Sequence, residues 1–401
     1  MMKPPDSTSR RSFLKASALA AVSAAVPTAR GNTNPVETAA LPRVRAANPP
    51  EWRNRQVGMA YRRMGATGMM VSELVMGGIP INRDNRSMIH LAMDLGINYI
   101  DTASGYGKDG ESERALGAFF KDNPGARDRL FLASKLSAFG GFRTQMYRDL
   151  YEGLPSEKKN AIQKRAAEIV EERSVGKPGV FFTYFPGHER ELDWEYRIIA
   201  MQKDYGQRID GNGKFRARMF EILDESLQRT GVDHYDVLFC PHGCSSPEQL
   251  EEPEMLETLD EMKKQGKCRF VAVSTHTAFE QVTRKAVDLG TYDLVMASYN
   301  VINHGTMEAS IAHAAKHGVG FVAMKAAASV RTHFDQFKPL PAWREEKLQR
   351  LVPGEDSAPV KAYLFVLQNP NVSAVISNMW NEDMIRENVA AVGRKVDLQP
   401  G

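Results

Sequence analysis

Tyr99-Ile100-Asp101-Thr102-Ala103-Ser104-Gly105-Tyr106-Gly107 decides the reading of this 401-residue chain. A short apolar run ends on a carboxylate, and a glycine-bearing loop with one phenol follows. Buried parallel strands read this way, with reactive side chains at their C-terminal ends. Working outward, the same unit recurs. The strand candidates are Glu73–Gly77, Tyr99–Ala103, Leu130–Lys135, Val237–Pro241, Arg269–Ser274, Leu294–Tyr299, Gly320–Lys325 and Ala374–Ser377. Helix-period segments such as Arg86–Leu95, Met255–Gln265 and Phe279–Leu289 lie between most of them. Gly96, Gly266, Gly290 and Gly318 follow four of the helices, where a left-handed cap needs no Cβ.

Eight such units predict an α/β fold, a closed (β/α)8 TIM barrel spanning 58–395. An open doubly wound sheet is the alternative, but no G-x-G-x-x-G follows the first strand. Ahead of the barrel, Met59–Gly65 and Gly68–Ser72 flank an Ala66-Thr67 turn, which predicts an N-terminal β-hairpin closing the barrel floor. One interval is too long. His242 lies 107 residues beyond Lys135, far more than an ordinary unit needs. The excess, 139–214, predicts a long, mainly helical insertion after strand three. A helix begins near Ser156 with Ile162, Ala166, Ile169 and Val170 on one face, and Phe181-Phe182-Thr183-Tyr184-Phe185-Pro186-Gly187 follows. A second helical stretch runs through Trp194, Ile198 and Met201. Because it leaves the C-terminal end of a strand, the insertion belongs on the face where barrels carry their sites. A lid or substrate wall is the favoured use; an oligomer contact or a solvated ornament is the alternative.

The N-terminus reads as address rather than fold. Ser9-Arg10-Arg11-Ser12-Phe13-Leu14-Lys15 precedes an Ala-rich stretch, Ala16 to Val26, too short to span a bilayer. Residues 1–29 resemble a twin-arginine signal, which implies the twin-arginine export machinery as a partner and a periplasmic or secreted protein. Residues 30–57 read as linker, rich in Pro, Ala, Asn and Arg. The formal net charge of +3 resides in residues 1–29, so the remainder sums to zero and offers no polyanion surface. No nucleic acid and no stable membrane anchor are expected. Three cysteines form no complete disulfide framework, and no zinc or haem spacing is present, so no metal is expected. Cys240 shares its parity with an apolar run and should point into a core as an inert thiol.

Asp101-Thr102-Ala103-Ser104-Gly105-Tyr106-Gly107, followed by Ser112-Glu113-Arg114-Ala115-Leu116-Gly117, resembles the aldo-keto reductase signature D-T-A-x-x-Y-G…S-E-x-x-L-G. The resemblance covers roughly residues 59–390, with the insertion outside it. It implies Tyr106 as general acid, Asp101 and Lys135 tuning it, and His242 orienting a substrate carbonyl. The chemistry stands on its own terms. Hydride transfer to a carbonyl builds negative charge on oxygen, which a proton donor and fixed dipoles must meet. A free phenol titrates near ~10. A neighbouring ammonium is expected to lower that value, and a carboxylate to hold the ammonium. Each residue alone has a simpler use, as a helix cap, packing group, solvated strand end or satisfied core histidine. Together, at the ends of different strands, they read as a site.

The same resemblance implies a nicotinamide cofactor, NADP or NAD, held by Gly78, Ser274, Thr275, Lys325, Ser377, Asn378, Glu387 and Asn388. The match has departures. Thr275 stands where the family usually has Asn, Met296 where Gln is frequent, and Ala326-Ala327 where Pro-Leu commonly follows. NADPH-preferring members often carry Lys and Arg where Asn378 and Met384 stand, which leaves NAD against NADP open. The function implied is oxidoreduction between an aldehyde, ketone or keto-sugar and its alcohol. A non-catalytic binding or regulatory module, and a sugar-modifying barrel that uses bound cofactor transiently, are the alternatives.

Overall fold

The computed structural model describes residues 44–175, 183, 188–209, 211–332 and 337–400. The expected signal (1–29), the first part of the expected linker, and Phe181, Phe182, Tyr184 and Phe185 lie outside the described residues. Eight parallel strands close into a barrel: Leu74–Gly77, Tyr99–Asp101, Phe131–Lys135, Tyr235–Phe239, Cys268–Thr275, Leu294–Ser298, Gly320–Met324 and Ala374–Ser377. Each pairs with its neighbours in sequence, and the eighth closes on the first, with Val375 opposite Leu74. Every expected strand forms, within two residues of its expected ends. The four glycines expected to end helices all have positive φ.

Alternation along the strands sorts the core into two layers. Tyr99, Phe131, Ala133, Val237 and Phe239 pack in the interior cluster, whereas Ile100, Leu132 and Leu238 pack outward with the helices. Asp101 and Lys135 share the inward parity of Tyr99 and Phe131, so they form part of the last layer before the barrel opens.

The expected hairpin forms the floor. Tyr61–Arg63 runs antiparallel to Met69–Ser72 around a 3-10 turn over Gly65–Thr67, and Met64, Met69 and Val71 join the interior cluster. Within the stretch expected as linker, Glu51–Trp52 adds a parallel strand to Met69–Ser72. The next residue, Arg53, helps surround fully buried Asp236 with Arg127 and Arg269, at 3.2, 2.9 and 2.6 Å. Burial raises that carboxyl's pKa, but Arg127 and Arg53, the Leu132 N–H and Arg269 overcome it and hold Asp236 below its ordinary range.

The insertion is helical as expected, with helices over Ser137–Glu152, Ser156–Glu172 and His188–Ile209. The first begins ahead of the expected boundary. Its Gly140-Gly141 pair weakens the local signal, yet Phe139, Arg143, Tyr147 and Tyr151 recur every fourth residue and are buried. In the second helix Ile162, Ala166 and Ile169 are buried, as their spacing predicts. Phe139 meets Phe215 edge-on at 5.1 Å, and Trp194 meets Tyr151 at 5.7 Å. Trp194 therefore ties the first and third insertion helices together. Lys214–Thr230 is the ordinary outer helix that leads into the fourth strand. All three cysteines are buried free thiols, and burial raises each pKa. Among the described residues no helix is long and apolar enough to cross a membrane.

Candidate active site

Buried Lys135 donates through Nζ to Asp101 Oδ2 and, at 2.7 Å, to the Thr102 carbonyl. The same ammonium lies 4.7 Å from the centre of the Tyr106 ring. The loop bearing Tyr106 is laced to the end of the third strand. Ser104 Oγ donates to the Lys135 carbonyl at 2.9 Å and accepts the Ser137 N–H at 3.2 Å. Gly105 approaches so closely that a Cβ there would sit 3.0 Å from that of Ser137. His242, just past the fourth strand, meets Tyr106 edge-on with ring centres 6.2 Å apart. Its Nδ1 lies 2.9 Å from Ser137 Oγ.

The electrostatics correct one expectation. Burial raises the Tyr106 pKa, Lys135 lowers it and Asp101 raises it again, so the phenol ends above its ordinary value of 10. The ammonium acts in the expected direction, but desolvation of the phenolate is the larger effect. Tyr106 therefore stays protonated through the neutral range. Burial disfavours the Lys135 ammonium, but Asp101 and Tyr106 more than compensate and hold its pKa above the ordinary value. Burial, then Lys135 and Lys325, push His242 down to about 3, so its ring is neutral. Burial alone lowers Lys325 to about 8.

Asp101, Tyr106, Lys135 and His242 all line one cavity of about 740 Å³. Of the residues expected to hold a cofactor, Ser274, Lys325, Ser377, Asn378, Glu387 and Asn388 line it too. Ser377 Oγ is held between the Tyr363 hydroxyl at 2.7 Å and Asn388 Nδ2 at 3.0 Å. Asn378 requires a glycine beside it, because a Cβ on Gly77 would fall 2.2 Å from Asn378 Oδ1. The other two stand back from the wall. Gly78 donates its N–H to the Asp101 carbonyl at 2.7 Å, an approach that a Cβ would block. The buried Thr275 hydroxyl lies between the carbonyls of Cys244 and Thr277, sharing its one hydrogen, accepts the Thr277 N–H at 3.2 Å, and so fixes a loop.

Two histidines were not anticipated. His276 lines the cavity directly after the fifth strand, and its ring meets that of buried His188 with centres 6.1 Å apart. His276 stood at a strand end, a signal available in the sequence; His188 lies within the insertion and carried none. Burial and Lys325 push His188 down to about 4, and burial pushes His276 well below its ordinary value. An unfolded histidine titrates near ~6.5. These groups therefore contribute stability that is present above that pH and is lost as pH falls towards their folded values. His188→Gln is expected to cut proton uptake on unfolding at pH 5.5 by roughly one. The slope of urea stability against pH measures it, and an unchanged slope would refute a neutral, buried His188. Among the described residues, no three His, Cys, Asp or Glu side chains gather to hold a metal ion.

A parallel barrel with a phenol, an ammonium–carboxylate pair and a neutral imidazole at its C-terminal mouth is equipped for proton transfer to a polarised oxygen. Residues 74–189 and 207–399 match the family model described as "Aldo/keto reductase family", and the chain belongs to that family. It is 24% identical over 278 residues to aldo-keto reductase AMT2 of Alternaria alternata, covering 66% of this chain and 63% of that protein. It is 34% identical over 87 residues to 6-dehydroglucose reductase of Novosphingobium aromaticivorans, covering 19% and 29%. The chain thus spans less than two thirds of the length of these curated relatives. Among solved structures, the holo form of aldo-keto reductase AKR11C1 from Bacillus halodurans shares the fold. The TM-score is 0.55 at 20% identity, over 84% of this chain and 92% of that one.

Proposed function

We propose that this protein interconverts a small carbonyl compound and its alcohol, with hydride carried by a nicotinamide dinucleotide and Tyr106 as general acid or base. The observation that carries the reading is the convergence of Tyr106, Lys135, Asp101 and His242 on one cavity. In reduction, protonated Tyr106 gives its proton to the carbonyl oxygen. Lys135 steadies the phenolate left behind, and Asp101 keeps the ammonium in place. Neutral His242 offers a dipole that orients the carbonyl without adding charge.

The residues present fit a dinucleotide. The cavity volume lies within the ~300–1,000 Å³ usual for ligand sites. Asp101 lines it, and its buried Oδ1 has no hydrogen-bond partner among the described residues, an acceptor suited to a ligand hydroxyl. Ser274, Lys325, Ser377, Asn378, Glu387 and Asn388 would hold the cofactor. When bound, the nicotinamide supplies or accepts the hydride. Between 376 and 388 the wall carries Asn378, Met384 and Glu387 and no cation. NAD is therefore expected to bind more tightly than NADP, by about tenfold, since a ribose phosphate finds no charge-assisted partner there. Fluorescence titration with both dinucleotides decides this; tighter NADP binding would reverse it.

The name of the Novosphingobium relative, 6-dehydroglucose reductase, puts oxidised sugars first among substrates to test. The test is net oxidation of NADH or NADPH by the purified protein with aldehydes, ketones and keto-sugars. Failure to bind either dinucleotide would overturn the reading. Binding with no net turnover of any carbonyl would replace it by transient use of the cofactor.

The proposal includes export in folded form through the twin-arginine machinery to the periplasm or beyond, on the strength of Arg10-Arg11 and the apolar stretch behind them. Arg10→Lys with Arg11→Lys is expected to keep uncleaved precursor in the cytoplasm. Fractionation and immunoblotting check it, and undiminished export would exclude that route. The insertion is proposed to back the substrate wall through His188, whose ring packs on the cavity-lining His276; no described residue of 139–214 lines the cavity itself.

A further inference from the structure

The hydroxyl at the start of the insertion touches the site histidine, and neither the signature nor the expected residues include it. Ser137 opens the helix Ser137–Glu152, two residues after Lys135. Its position is fixed from three sides. Leu136 N donates to the Phe239 carbonyl at 3.0 Å, Ser137 N donates to Ser104 Oγ at 3.2 Å, and Gly105 N donates to Ser137 Oγ at 3.3 Å. That oxygen lies 2.9 Å from His242 Nδ1.

We propose that Ser137 is a positioning residue that holds His242 in the tautomer with its hydrogen on Nε2, so that the ring donates to a carbonyl oxygen. The inference rests on the reaction proposed above. A serine hydroxyl has one hydrogen to give and two lone pairs. Ser137 Oγ already accepts from Gly105, and His242 Nδ1 is the neighbour placed to take its hydrogen. Donation to Nδ1 puts the ring hydrogen on Nε2, because a neutral imidazole has one donor and one acceptor. The surroundings favour neutrality, since burial, then Lys135 and Lys325, oppose a second proton, and Nδ1 faces the Ser137 hydroxyl. The opposite tautomer would turn the Nε2 lone pair towards the carbonyl oxygen, lone pair against lone pair. The same serine also grips the loop that carries Tyr106, so donor and acid are set from one side chain.

The experiment reads the tautomer itself. Protein labelled with 15N-histidine is examined by two-bond nitrogen–proton correlation, with His242 assigned against His242→Gln. Wild type is expected to show Nε2–H alone, Ser137→Ala a mixture, and Ser137→Thr the wild-type pattern. With Ser137→Ala, kcat for carbonyl reduction is expected to fall about five- to tenfold, the scale of one hydrogen bond. Dinucleotide affinity should be unchanged, and Ser137→Thr should restore kcat. Nδ1–H in wild type, or an unaltered tautomer in Ser137→Ala, would overturn the proposal. Absence of carbonyl turnover in wild type would instead overturn the proposed reaction, while the tautomer spectrum still decides the role of Ser137. Should Ser137→Ala fail to fold, the wild-type spectrum alone decides between Nδ1–H and Nε2–H.

Discussion

Tyr106→Phe is expected to lower carbonyl reduction by ~10²–10⁴-fold while dinucleotide affinity stays within about twofold. The phenol oxygen is the only atom removed; in the proposed reaction it meets the carbonyl, whereas Ser377, Asn378, Glu387 and Asn388 would hold the cofactor. Because burial keeps the phenol protonated, kcat for reduction by wild type at saturating cofactor should be nearly flat from pH 6 to 9, while titration of Lys325 at about 8 would show in cofactor affinity. The reverse reaction needs the phenolate and should climb with pH over the same range. Steady-state kinetics in both directions, with fluorescence titration of the cofactor, measure all three quantities. Wild-type turnover in the Phe variant would take Tyr106 out of the mechanism. A reduction rate that collapses near pH 7 would contradict the raised phenol.

Arg143→Met is expected to destabilise the protein by ~3–5 kcal/mol, the cost of leaving buried carboxylates without their cation. Arg143 is fully buried and bonds Glu195 at 2.7 Å and Glu252, both themselves buried. Ser246 Oγ completes the cluster with 2.7 Å to Glu195. Both carboxylates raise the pKa of the guanidinium despite its burial, so it remains charged. Three segments meet there: the first and third insertion helices and the loop after the fourth strand. Adding Glu195→Gln and Glu252→Gln to Arg143→Met should recover much of the loss, because the stranded charges disappear with the cation. Urea midpoints of the single and triple variants test it. A loss below about 1 kcal/mol for the single variant would mean that water reaches the cluster.

The barrel was legible because its signals are local. Alternating apolar strands, glycine caps and strand-end polar residues each appear within a few positions, and the structure follows them to within two residues. Asp101 and Lys135 were readable for the same reason: strand parity alone turns both inward. What escaped depends on distant segments. Arg143 reads as a solvated helix charge until Glu195 and Glu252 arrive from elsewhere in the chain. Trp194 read only as part of a helical stretch, yet Tyr151 and the guanidiniums of Arg148 and Arg197 pack on its ring. Thr275 fits a motif by spacing, yet its hydroxyl is engaged by the backbone of Cys244 and Thr277. The expected fall in the Tyr106 pKa failed because a sequence lists neighbours but not desolvation.

The contact between His188 and His276 has a bearing on how this barrel can change. In most barrels of this architecture each loop at the mouth belongs to its own unit and can be exchanged with little effect on the others. Here a helix rooted between the third and fourth strands sets a buried ring against the residue that follows the fifth. The loops after strands three and five are thereby one inheritable unit. Recombination that swaps either alone would leave an imidazole facing a stranger, so new specificities should arise in this lineage by paired replacement or by point changes at the far wall.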